Sequence, residues 1–188
     1  GAITPGQAVF LWLLPVITAV LALGIGRLWI PPQDILQSMA AKLGHGTELA
    51  EQLEKVIWTI RMPRVLMALA VGAGLSVSGC AFQSLFANPL ATPDTLGVAS
   101  GSSFGAALAL LFGLDMIGVQ TAALLTGLAA IALTWLSCAG RSRTTGTIVL
   151  AGIMIGSFFS ALVSVVKFLA DTESQLPAIT FWLMGSFN

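Results

Sequence analysis

Few side chains in this 188-residue chain can carry acid–base, nucleophilic or metal chemistry: eight Asp or Glu, eight Lys or Arg, one His and two Cys. Their spacing argues against catalysis. Hydrolysis inside a membrane needs a nucleophile with a base, or paired carboxylates, at depth. Asp94 and Asp115 instead fall at the edges of apolar runs, and no acid or His lies inside one. Lys167 sits near enough to the end of its run to snorkel to an interface. His45 stands between two glycines in a polar stretch without a second His, so no ligand set forms around it. Cys80 and Cys138 each fall in apolar sequence, which reads as two buried free thiols rather than a disulfide or metal framework. No G-x-x-x-x-G-K-[ST] sequence occurs, so a P-loop is not part of this chain. The expectation is a non-enzyme without catalytic residues, metal or cofactor.

The elements that must position these groups are apolar. The chain is 56% hydrophobic and only 9% charged, with mean hydropathy +0.94 and a formal charge of zero. That balance excludes disorder, and it excludes nucleic-acid binding by phosphate neutralisation, which needs a basic excess. No charged residue occurs in 1–26, 65–93, 95–114, 116–140 or 144–166. About 20 apolar residues cross a bilayer as helix. Runs such as 124–136 and 148–155 do not alternate as barrel strands would. The expected fold is therefore all-α, a polytopic transmembrane bundle of about five spans.

The spans are expected near 8–29, 65–86, 95–112, 117–138 and 147–169. Val9 to Ile30 is too long for a signal-peptide core and lacks a basic flank, so it reads as a true span. Residues 31–60 form an extramembrane connection in which 47–58 is a short amphipathic helix. Pro63 suits the first turn of the second span. Asn88-Pro89-Leu90-Ala91 and Pro93 break the helix after it. Residues 170–188 turn polar and then re-enter apolar sequence. Small residues recur every fourth position in four spans, for example Gly97, Gly101, Gly105 and Ala109, which lets helices approach closely in lipid.

One ordered set of motifs resembles a known family. Arg61-Met62-Pro63-Arg64, Val71-Gly72-Ala73-Gly74-Leu75, Ser78-Gly79-Cys80, Gln83, Asn88-Pro89-Leu90-Ala91, Pro93, Leu96-Gly97 and Gly101-Ser102 are similar to the FecCD/BtuC-type permeases. These are membrane subunits of binding-protein-dependent ABC importers for ferric siderophores, haem and vitamin B12. Leu150-Ala151-Gly152 and Trp182-Leu183-Met184-Gly185-Ser186 agree with it. Family members continue through a second half of similar helices, so the resemblance makes residues 1–188 the N-terminal part of one permease domain, with 170–188 an extracytoplasmic segment leading to the missing half.

The resemblance implies a subunit that moves an iron chelate or similar metal chelate across a bacterial inner membrane. Its partners would be an ATP-binding cassette ATPase pair, a periplasmic or extracellular substrate-binding protein and a second permease subunit, identical or paralogous. Arg61 and Arg64 would dock the binding protein, where rim charges steer association. Gly156, Ser160 and Ser164 would line the translocation path, Thr144, Thr145 and Gly146 would mark the cytoplasmic gate, and Asn88 and Pro89 a structural break. Residues 31–60 would lie outside and Arg141-Ser142-Arg143 inside, whereas the Lys/Arg count of Arg27, Lys42, Lys55, Arg61 and Arg64 favours the reverse. An ATP-independent facilitator and a non-transporting scaffold are the alternatives that small, hydroxyl-bearing helices would also permit.

Overall fold

The computed structural model describes residues 4–44, 49–89, 91–139 and 144–186. Among them the regular structure is helical throughout, without a strand. His45, Leu90 and Arg141-Ser142-Arg143 lie outside the described residues. Among the described residues, four helices are long and apolar enough to cross a membrane: Pro5–Gly24, Glu51–Phe86, Met116–Ser137 and Thr145–Leu169. The described residues divide into two compact units, 4–74 and 75–186.

In the first unit α1 (Pro5–Gly24) opens with a capping box, in which Thr4 and Gln7 satisfy each other's backbone N–H groups. After a short loop, α2 (Pro32–Lys42) packs Ile35 with Leu23, Ile30 and Ile57 in a small buried cluster. The connection then re-enters helix at α3 (Glu51–Lys55), passes through a π-helical stretch (Val56–Arg61) and continues directly as α4 (Met62–Phe86). The sequence pattern places a helix start at Pro63, yet the helix runs through it. The π stretch is the physical reason. Its register already carries the Met62 N–H to Ile57 O, so the donor that Pro63 lacks falls where the α ladder is interrupted. Ser38, fully buried, ties α2 to this helix by accepting from Trp58 Nε1 at 2.8 Å and donating to Glu54 Oε1 at 2.7 Å.

The second unit is built on α5 (Val98–Leu111), α6 (Met116–Ser137), α7 (Thr145–Leu169) and α8 (Gln175–Met184). At its core Ala106 and Ala109 of α5 meet Val119 and Ala123 of α6, while Ala107 meets Val166, Ala170 and Ile179. The alanines at the α5–α6 contact permit the close helix approach of membrane bundles. Gln175 Nε2 donates to Leu111 O at 3.0 Å, fastening α8 to the end of α5.

Two expectations need correction. The third charge-free run is not a full span. α5 has 14 residues, about 21 Å of helix, short of the ~30 Å hydrocarbon core. Charge counting overlooks where the helix begins, which Pro93 and a left-handed Gly97 (φ 75°) decide. The second concerns the thiols: Cys138 is buried, but Cys80 is exposed on α4.

Candidate functional site

Helix α4 ends at Phe86, where Ala87 adopts a left-handed conformation (φ 47°). Asn88 N–H reaches back to Gln83 O at 3.1 Å, Gln83 Nε2 donates to Pro89 O at 3.0 Å, and Ala91 N–H closes on Asn88 O. Asn88 and Pro89 thus lie in a tight turn. A 3-10 turn, Pro93–Leu96, follows with a reciprocal Thr92–Thr95 cap. Gly97 then redirects the backbone into α5. A Cβ there would sit 2.9 Å from Gly156 N and 3.1 Å from Gly152 O, so only glycine allows this approach to α7.

The consequence is a matter of depth. α5 runs in the same direction as α7: Gly97 meets Gly156, Ser160 Oγ donates to Ser100 Oγ at 3.3 Å, Phe104 packs on Phe159 at 5.7 Å, and Ala107 packs on Val166. With 25 residues, α7 is about 37 Å long. Gly152 and Gly156 lie about 10 and 16 Å along it from Thr145. The 3-10 turn and the first turn of α5 therefore stand beside the interior of a membrane-length helix. Thr134 Oγ1 of α6 donates to Leu96 O at 3.1 Å and holds the turn from the other side.

A groove of about 560 Å³ opens there, lined by Thr92, Asp94, Thr95, Gly97, Ser100, Gly152, Ile153, Gly156, Ser157 and Ser160. A second hollow of about 300 Å³ shares Ser100 and Ser160 and adds Ser103. Of the path residues expected from sequence, Gly156 and Ser160 come together in the first groove. Ser164 does not line it, and its hydroxyl returns to Ser160 O within the helix. Ser100, Ser157 and Asp94 join the groove without having been singled out. Asp94 reads as a span-end acid in sequence, which is true of α5 but not of α7, alongside which it lies.

The arginine pair separates into two roles. Arg61 is half-buried, and its Nη1 donates to Leu23 O (2.5 Å) and Gly24 O (3.1 Å) at the C-terminus of α1, while Nη2 donates to Leu28 O. Unpaired C-terminal carbonyls favour a cation. Gly26 makes room for it, since a Cβ there would stand 2.7 Å from Nη2. Arg64 is exposed and has no such partner among the described residues. Arg27, Arg61 and Arg64 line one cavity of about 400 Å³ together with Ile25, Val56 and Ile60. Arg27 was not legible as part of this set, because only the backbone between α1 and α2 brings it there.

Thr144 caps α7 by accepting from Thr147 N–H at 3.3 Å. Thr145 lines an apolar cavity of about 350 Å³ with Phe86, Leu96, Thr134 and Trp135, and Gly146 has no neighbour within 4 Å of where a Cβ would stand. Among the described residues, no three His, Cys, Asp or Glu side chains cluster as a metal site.

Comparison with known proteins agrees on one family. The model of the FecCD transport family matches residues 13–188. The chain is 45% identical over 178 residues to the molybdate import system permease MolB of Haemophilus influenzae, covering 94% of this chain and 52% of that one. It is 35% identical over 178 residues to the vitamin B12 import system permease BtuC of Salmonella arizonae, covering 94% and 50%. A solved inward-facing structure, assigned to the metal-chelate type of ABC transporter, superimposes with a TM-score of 0.78 at 40% identity, over 98% of this chain and 54% of that one. The chain thus spans about half the length of the relatives it matches.

Proposed function

This chain belongs to the FecCD transport family, and from that premise we propose that it forms part of the permease subunit of a binding-protein-dependent ABC importer for an iron chelate or a similar metal chelate. The observation that carries the reading is the hydroxyl-lined groove between the 3-10 turn, α5 and α7. A route must bind weakly enough for its cargo to leave. Ser100, Ser157 and Ser160 offer scattered hydrogen bonds to a bulky solute without a deep trap.

In this reading the cargo arrives on a binding protein that docks through the arginine cavity at the outer face of a bacterial inner membrane. Arg64, exposed, meets the partner's acids directly; Arg61 contributes its charge while holding the end of α1. Rim charges of this kind speed and orient docking more than they add affinity. A separate ATPase pair supplies the energy, a second permease subunit completes the path, and the Thr144–Gly146 turn at the start of α7 gates its cytoplasmic end.

Uptake of labelled ferric siderophore, haem, cobalamin and molybdate tests the proposal, in cells with and without the full-length gene. Loss of one cargo on deletion, regained only with a hydrolysis-competent ATPase partner, is the expected result. Flux that persists without ATP hydrolysis would point to a facilitator instead.

A further inference from the structure

We propose that Asp94 makes the groove beside α7 selective for charge, favouring cargo that presents positive charge or hydrogen-bond donors and opposing bare oxyanions. This inference rests on the reading of that groove as part of the route. Four observations carry it. Asp94 is the only charged residue among the described residues that line the groove. It is exposed. No hydrogen bond or ion pair engages its carboxylate among the described residues, although its backbone carbonyl accepts from Gly97 N–H at 2.8 Å. The 3-10 turn that bears it is fixed on both sides: Thr134 donates to Leu96 O, and Gly152 lies so close to Thr95 O and Leu96 Cα that a Cβ would stand 2.9 Å from the latter.

An ionisable group held about 10 Å along a membrane-length helix is costly unless the space it faces is wet, and such residues mark solute pathways. The other lining groups are hydroxyls, glycines and one isoleucine. They are neutral, so the sign of the local field is set by Asp94. A carboxylate there raises the local concentration of cations and lowers that of anions.

The test needs no knowledge of the cargo. In the full-length permease assembled with its ATPase, a single cysteine is placed by Ser157→Cys in a background carrying Cys80→Ala and Cys138→Ala and otherwise free of cysteine. Its reaction rates with a cationic and an anionic methanethiosulfonate are compared with and without ATP. For a unit-charge interaction of about RT with each reagent in a water-like medium, the cation-to-anion ratio should fall roughly five- to tenfold when Asp94→Asn is added. Asp94→Glu should retain it. If both reagents react and Asp94→Asn leaves the ratio unchanged, the charge selection is wrong while the route stands. If neither reagent reaches the cysteine in any nucleotide state, the route is wrong and the selectivity falls with it.

Discussion

Gly152→Ala should damage this molecule out of proportion to one methyl group. The added Cβ would stand 2.9 Å from Leu96 Cα and press still harder on Thr95 O, both backbone atoms that no rotamer change can move aside. Ordinary contact begins near 3.4 Å, so α7 and the 3-10 turn must part by about 1 Å. A gap of that size forfeits a quarter to a half of each dispersion contact, and overpacking in a well-packed interior typically costs 1–3 kcal/mol. About 2–3 kcal/mol is the expected loss, because Thr134 and Gly97 hold the same turn and resist its movement. Gly146→Ala is the matched control on the same helix, where a Cβ meets nothing within 4 Å and the change should stay within about 0.5 kcal/mol. Equilibrium unfolding of the full-length permease in bicelles reads both. Equal stabilities for the two variants would refute the claim that this close approach sets the position of the groove.

Other perturbations separate neighbouring roles. Arg61→Lys keeps the charge but loses the planar fork that reaches Leu23, Gly24 and Leu28; amide exchange at 21–30 should speed up by about tenfold or more, at ~1.5–3 kcal/mol per charged hydrogen bond, while Arg64→Ala should leave exchange unchanged and slow association with the binding protein. Ser38→Ala strands Trp58 Nε1 and Glu54 Oε1; it should cost about 1–3 kcal/mol, read as lost exchange protection across α2. Asp171 caps the turn before α8 by accepting from the Ser174 hydroxyl and the Ser174 and Glu173 N–H groups, which hold its carboxyl below its ordinary 3.8. A depressed carboxyl stabilises the fold above its unfolded value and loses that contribution as pH falls through the folded one. Exchange at 172–176 should therefore rise only below about pH 4, and Asp171→Asn should show the low-pH behaviour at neutrality.

Much of the architecture was readable from composition because lipid leaves the backbone so few options. Charge-free runs mark α1, α6 and α7 directly, since any long apolar stretch in a bilayer must close its own hydrogen bonds. The starts of α5 and α4 depart from that pattern for opposite reasons. Pro93 and Gly97 shorten a helix that hydropathy alone would extend, while the π stretch at Val56–Arg61 lets a helix pass through Pro63 where propensity would start one. In the groove, Gly156 and Ser160 follow from a family resemblance and helical spacing. Asp94, Ser100 and Ser157 required the depth relation between two helices of unequal length, which no one-dimensional pattern encodes. Arg61 is legible as a charge at the end of a span but not as the residue that closes the C-terminus of α1, because its acceptors lie more than 30 residues earlier in the chain.

In the proposed function the α5–α7 groove lines the route of an ATP-driven importer. That role is tested most directly with the full-length permease, its ATPase and its binding protein reconstituted in vesicles. Ser160→Trp would fill the groove at its middle. ATP-dependent uptake of whichever of ferric siderophore, haem, cobalamin or molybdate the wild type carries should fall by at least tenfold, with assembly and basal ATP hydrolysis retained. Uptake at the wild-type rate through a permease bearing that tryptophan would show that the cargo travels elsewhere.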